Sequence, residues 1–286
     1  LSSYKIIYIT LAFLLVKCDV AEVSVLPEYP ITIEPLGLLE LDELNNAYQQ
    51  KNNGQLCSTL NEYGFTGFSR ILFPNDVNPC TDRIPQAVEL STPDIHLSKA
   101  VNAVQFNQEF TNVSSSYNLV LQEALPLYGC TICEGPETNS VPLEWKFTFE
   151  PQVIEGMEVS GSEITVFVDV NGVNRIWGNW YEEFYAPDLL NVGYVQAENS
   201  IVGLSVDLNA VANLDSVFII NKDDVGDARS FEILPTLNES NELELRKTWK
   251  VPIRFIHSDI NGLVANVDAV DSQLLRITAN RQETNN

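Results

Sequence analysis

The chain has 286 residues, 45% of them hydrophobic, enough apolar material to bury one large core or two modest ones, which argues against disorder. Its 16 basic and 39 acidic side chains leave a formal net charge of -23. That charge repels nucleic acid and anionic lipid over a Debye length of about 8 Å at physiological salt, and so excludes a polyanionic partner. It specifies no reaction, because acidic residues are commonest on surfaces that only need solvating.

Residues 1–18 read as an export signal or anchor. Ile6 to Val16 is a nearly unbroken apolar run behind Lys5. At about 11 residues it is short of the roughly 20 that a membrane-spanning helix needs, but it has the length of a signal h-region. Cys18 follows at once, and Leu15-Val16-Lys17-Cys18 resembles a bacterial lipobox with Lys17 where a small residue belongs. Cys18 is therefore the candidate lipid attachment site. The alternative is an ordinary N-terminal segment with a buried cysteine.

Residues 19–96 are expected to be a tether and a loop-rich region. Ala21 to Pro35 reads as a tether or an edge strand. Leu38 to Gln50, with Leu38, Leu39, Leu41, Leu44 and Ala47 near helical spacing, predicts an amphipathic helix ended by Lys51-Asn52-Asn53-Gly54. Pro74, Pro79, Pro85 and Pro93 then punctuate loops and short strands. With Cys18 set aside, Cys57, Cys80, Cys130 and Cys133 are an even set, compatible with two disulfides in an exported protein. Closing the Cys57–Cys80 loop would contribute about 3 kcal/mol. Cys130-Thr131-Ile132-Cys133 would be a local staple. A redox pair and a zinc site are its alternatives, both weakened by Gly135-Pro136, which stops a helix from starting there, and by a total of two histidines.

From residue 97 the pattern is α+β. Leu97, Ala100, Val101, Val104 and Phe106 predict a short helix. Tyr117 to Leu127 and Leu143 to Ile154 predict strands, the second with Trp145, Phe147 and Phe149 on one face. Glu163 to Val170 and Val173 to Trp177 predict a hairpin with a type I′ turn at Asn171-Gly172. After an aromatic run of Trp177, Trp180, Tyr181, Phe184 and Tyr185, a helix is expected over Val192 to Leu204 with Asn191 as N-cap. Strands at Val217 to Ile220, Phe231 to Leu234 and Leu245 to Phe255, and a hairpin from Leu263 to Thr278, complete the set.

An internal repeat runs through these elements. Trp145-Lys146-Phe147 leads to Val168-Asp169, a turn and Arg175-Ile176; Trp249-Lys250-Val251 leads to Val267-Asp268, a turn and Arg276-Ile277. Each copy follows a predicted helix, so two helix-plus-antiparallel-sheet units, 97–188 and 189–280, are expected.

The same residues carry a resemblance. Trp145 to Trp180, with Gln152, Ile154 to Val159, Gly161-Ser162-Glu163 and Val168 to Gly172, resembles the propeptide module of fungalysin and thermolysin-type metallopeptidases. Trp249-Lys250-Val251 with Val267-Asp268-Ala269 resembles the PepSY module that follows it in those zymogens. The resemblance spans Lys99 to Ile277 and implies α+β units that bind or inhibit a protease. No His-Glu-x-x-His helix follows, so it transfers no catalytic residue.

Other chemistries find little support. Asp94 and His96 lack a nucleophile motif. Asp169 and Asn171 before Gly172 lack the remaining ligands of a calcium loop. Asn112-Val113-Ser114 and Asn238-Glu239-Ser240 are glycosylation sequons only in a eukaryotic host. No cofactor, metal or catalytic residue is expected. The expected role is a non-catalytic envelope module with a protein partner, which would be a protease, a secreted client or an outer-membrane complex. Membrane contact would run through the N-terminus. The candidate partner surface is Trp177, Trp180, Tyr181, Phe184 and Tyr185, because aromatics with polar tips suit interfaces. A structural subunit of an outer-membrane complex or filament is the alternative, and an unrecognised enzyme the third.

Overall fold

In the strand that carries Trp145, every second side chain is large and apolar, and one face of an antiparallel sheet buries that series under a helix. The computed structural model describes residues 29–54, 56, 60–66, 68–70, 86–131, 139–181, 190–258 and 260–281. In chain order the elements are β1 (Ile31–Ile33), α1 (Leu38–Lys51), β2 (Phe68–Arg70), α2 (Pro93–Phe106), the single turn α3 (Gln108–Thr111), β3 (Leu121–Gly129), β4 (Val141–Phe149), β5 (Val153–Ile154), β6 (Met157–Val159), β7 (Thr165–Asp169) and β8 (Gly172–Trp177). They continue as α4 (Tyr194–Ser200), β9 (Ser205–Asp207), α5 (Leu208–Ala212), β10 (Val217–Ile219), β11 (Ser230–Leu237), β12 (Leu243–Ile253), β13 (Ile260–Asp268) and β14 (Leu274–Arg281). The fold is α+β. Among the described residues no helix is long and apolar enough to cross a membrane.

Two helix-backed sheets follow one plan. The first has the order β2-β8-β7-β4-β3, and the second runs β14-β13-β12-β11-β6-β5 with β1 beside β12. Trp145 lies opposite Val168, and Trp249 lies opposite Val267. A register shift falls at the same place in each copy, between Phe167 and Val168 and between Asn266 and Val267. The following aspartate caps the turn in both: Asp169 Oδ1 accepts from the N–H of Asn171 and Gly172, and Asp268 Oδ1 from those of Val270 and Asp271. Each indole N–H donates to a backbone carbonyl just ahead of the backing helix, Trp145 to Glu89 at 3.4 Å and Trp249 to Val192 at 2.8 Å. The tryptophan thus fixes both its sheet and the entry of its helix.

Helix α2 begins at Pro93, whose missing N–H costs nothing at the first turn. Its buried stripe is His96, Ala100 and Val104 at i, i+4 and i+8, packed with Trp145, Phe147, Phe149, Val166 and Ile176. Phe106, expected on that stripe, is exposed. The second core gathers Ala197 and Ile201 of the α4 region with Trp249, Val251, Ile253, Leu263, Ala265 and Val267. In α1 the inward positions are Leu41, Leu44 and Tyr48, while Leu38, Leu39 and Ala47 face outward. Tyr48, ignored by a purely aliphatic count, anchors that helix against Phe110 at 4.4 Å.

Several expectations need correction. The strand predicted over Leu143 to Ile154 stops at Phe149. Val153 and Ile154 turn back as β5, and β6 then leaves the first unit and pairs in parallel with β11, Glu158 beside Glu232 and Val159 beside Ile233. The type I′ geometry sits here, at Glu155 (φ 50°) and Gly156 (φ 77°). At Asn171-Gly172 only Gly172 has positive φ, and the Asp169 carboxylate closes that turn instead. The helix predicted over Val192 to Leu204 is the shorter α4, capped by Gly193, whose N–H donates to Gln196 Oε1; Val192 is held outside it by the Trp249 indole. Val217 to Ile219 pairs with β9 in a separate two-stranded ribbon. The 21–35 stretch supplies β1, which takes the flank of β12 that β13 leaves free beyond Asp268. Tyr29 pins it, accepting from Lys247 N–H and donating to Asp268; burial and the Asp268 charge push its phenol up.

Of the cysteines only Cys130 is among the described residues. No cysteine pair is found among the described residues, and the proposed ties at Cys57–Cys80 and Cys130–Cys133 gain no support. Cys18, Cys57, Cys80 and Cys133 fall outside the described residues.

His96 is 7% exposed with Nδ1 unpartnered. Burial, then the Lys99 charge, lowers its pKa against an opposing pull from Asp169. The unfolded chain therefore takes the proton first, and stability present at neutral pH is lost as pH falls through the ordinary histidine value of about 6.5. Urea unfolding at pH 7.5 and pH 5.5 should show a larger loss for the native chain than for His96→Gln. Equal losses would contradict the burial assignment.

Candidate functional site

A cleft of about 850 Å³ opens where the first unit meets the β5–β6 hairpin. One wall is the segment after α3. Asn112 ends that helix in a left-handed conformation (φ 58°), and its Nδ2 donates to Trp180 O at 2.9 Å. A turn closed by Tyr117 N–H to Ser114 O then brings the Tyr117 ring edge-on to Trp180 at 4.9 Å. The other wall is Gln152, Val153, Ile154 and Glu155.

Gln152 is the clamp between the walls. Its Nε2 donates to Tyr181 O at 2.7 Å and its Oε1 accepts from Tyr181 N–H at 2.9 Å, so one side chain satisfies both backbone groups of a buried residue. Its own N–H donates to Ser162 Oγ at 2.8 Å, and that hydroxyl donates to Val159 O. Tyr181 packs edge-on to Phe65, and burial pushes its phenol up to about 12 against an opposing hydrogen bond from Asn179. At neutral pH that phenol is a hydrogen-bonding group and not a base. The wall is hydrogen-bonded throughout and polar-tipped.

The five aromatics expected on one surface separate. Trp180 and Tyr181 are 3% and 4% exposed and belong to two core clusters, although both line the cleft. Trp177 is 41% exposed on the other side of the first sheet, against Phe167 and Arg175. Phe184 and Tyr185 lie outside the described residues. Between Trp177 and Trp180 stands Gly178, at φ 124°, where a Cβ would meet Glu163 O at 2.2 Å.

The remaining candidates have structural partners. Asp94 is exposed on α2 while His96 points inward, two residues apart and so on different faces. The Asp169 carboxylate holds its turn. The two sequon asparagines use their Nδ2 atoms, Asn112 on Trp180 and Asn238 on Glu242 and Glu244. Among the described residues no three His, Cys, Asp or Glu side chains converge as metal ligands. Sequence reading passed over the roles of Gln152 and Tyr117. A lone glutamine after a proline carries no periodic signal, and Tyr117 reads as the start of a strand that begins only at Leu121.

No family model and no curated protein matches the chain. Among solved structures, the Bacillus megaterium YpeB C-terminal domain is 10% identical, covering 87% of this chain and 100% of that one, with a TM-score of 0.33. An uncharacterized protein from Eubacterium rectale is 10% identical over 87% of this chain and 85% of its own, with a TM-score of 0.35. Scores this low do not establish a shared fold.

Replacing Gln152 by alanine strands the N–H and C=O of Tyr181 in a buried position, at a cost of about 2–3 kcal/mol. Denaturant titration should register that loss, with Asn112→Ala costing about half as much because one carbonyl is affected. A Gln152→Ala chain as stable as the native one would refute the clamp.

Proposed function

We infer that the chain is an exported, non-catalytic binding or inhibitory module that takes an extended segment of a protein partner into this cleft. The observation that carries the reading is the position of β5, the terminal strand of the second sheet, on the cleft wall. Val159 N–H bonds to Gln152 O. By antiparallel alternation the N–H and C=O of Val153 therefore point away from β6, and the Val153 side chain is 53% exposed beside them. A peptide strand adding there would gain backbone hydrogen bonds from β5 and side-chain contact with Tyr117. The excess of acidic over basic groups favours a partner that is neutral or basic at the contact.

The resemblance to protease propeptide and PepSY modules supports the same reading, since such modules work by occupying a partner. The apolar run from Ile6 to Val16 favours export, and Cys18 remains the candidate lipid site for an envelope location.

A second reading, a structural subunit of a surface complex or filament, draws on one observation. β3 is a nine-residue edge strand with Leu121, Leu125 and Tyr128 exposed. Unpaired edges of that length template further strands, although Pro126 interrupts the ladder.

Peptides selected against the purified chain should lose about tenfold in affinity, roughly 1.4 kcal/mol, on Val153→Pro, which deletes the outward N–H. Unchanged affinity would remove the edge-addition reading. Native mass showing concentration-dependent oligomers that Leu125→Lys abolishes would favour the second reading instead.

A further inference from the structure

The face of the second sheet turned away from its helix carries a constellation that neither the cleft nor its proposed partner uses. Lys250 on β12 and Asn266 on β13 are direct cross-strand partners. Side chains so placed start about 4.5–5.5 Å apart at Cβ, within reach of a lysine stem. Both converge on Glu232 of β11: Lys250 Nζ lies 3.1 Å from Oε2, and Asn266 Nδ2 donates to Oε1 at 2.5 Å. Glu232 is 4% exposed and Asn266 1%. Arg276 on β14 donates from Nε to Asn266 Oδ1 at 3.4 Å and from Nη2 to Glu232 at 3.2 Å. Thr248 Oγ1 accepts from Asn266 Nδ2 at 3.1 Å.

A nucleophilic amine, a carboxamide, a buried carboxylate touching both and a cation on the carboxamide oxygen are the parts of an amide-exchange centre. We propose that Lys250 and Asn266 join in an intramolecular isopeptide bond, formed by the chain itself with Glu232 as proton carrier.

The reaction balances without any other reagent. Glu232 takes a proton from the Lys250 ammonium, and the freed Nζ attacks Asn266 Cγ. Arg276 Nε bears on the oxygen where negative charge develops. The Cγ–Nδ2 bond breaks as Glu232 passes its proton to the departing nitrogen. The second proton that Nζ sheds goes the same way, so one ammonium ion leaves and one secondary amide remains. The Lys250 side chain is 37% exposed, which gives the ammonium a way out.

The first unit is a built-in control. It has a matching lysine, an acid partner and an arginine in Lys146, Glu123 at 3.3 Å and Arg175. At the place of Asn266 it has Phe167, opposite Lys146, with Arg175 stacked on the ring at 4.1 Å. With no carboxamide there, no bond forms.

Intact mass of the reduced native chain should fall short of the sequence mass by one ammonia. A tryptic digest should contain one branched product joining Thr248–Arg254 to Phe255–Arg276, uncleaved after Lys250. Lys250→Arg, which keeps the charge, should restore both the mass and the separate peptides, and Glu232→Gln should do the same even if its fold is weakened. Cleavage after Lys146 should be normal throughout. Full sequence mass with normal cleavage after Lys250 in the native chain overturns the proposal. So does an ammonia loss that maps to an Asn-Gly step without the branched product.

Discussion

The parallel pairing of β6 with β11 is the contact on which the rest of the architecture depends. The chain leaves the first sheet after β4, makes the β5–β6 hairpin on the second sheet, and returns to the first as β7. Ile154, Met157 and Val159 of that hairpin are buried with Ile233, Leu243 and Leu245 of the second sheet and with Phe65 and Tyr181, which belong to neither strand of the hairpin nor to the second sheet. Each such side chain stabilises by about 1.5–3 kcal/mol, so the insertion gives the junction a core of its own. Ser160 extends it, donating its N–H to Ile233 O and accepting through Oγ from Arg276. The cleft exists because Gln152, at the root of the hairpin, grips Tyr181 across it.

Within each sheet one solution appears twice. A tryptophan buries its ring on the helix side and bonds the backbone ahead of the helix, a bulge displaces the next strand by a residue, and an aspartate closes the turn. The opposite faces have diverged. In the first sheet Arg175 stacks on Phe167 and pairs with Glu144. In the second, Glu232 sits beside Glu158 of the parallel strand, a like-charge approach that Arg276 offsets. Nearby, burial works against the Arg246 charge, and hydrogen bonds to Glu244, Asp268 and Asp271 more than offset it, raising its pKa.

The parts legible in the sequence are those that local periodicity controls. Trp145-Phe147-Phe149 and Trp249-Val251-Ile253 alternate, and both series are buried. The two Val-Asp steps end strands and lead into turns, and the helix ahead of the first sheet is present. What escaped was any choice between partners of equal local appearance. Val153 and Ile154 read as the continuation of β4, and nothing in their alternation says which sheet they will join. The aromatic run was legible as a run, but Trp177 is exposed while Trp180 is buried in the core of the first unit. Lys250, Asn266 and Glu232 come from three strands, and each alone reads as a solvated polar position. Only the register brings them together.

If the inserted hairpin makes one structure of two sheets, the core amides of both must open together. Hydrogen exchange at increasing denaturant measures this directly, by comparing the amides of β4 and β7 around Phe147 and Val166 with those of β12 and β13 around Val251 and Ala265. Opening free energies that converge to within about 1 kcal/mol are the predicted result. A first sheet that opens several kcal/mol below the second, while the second stays closed, would contradict it.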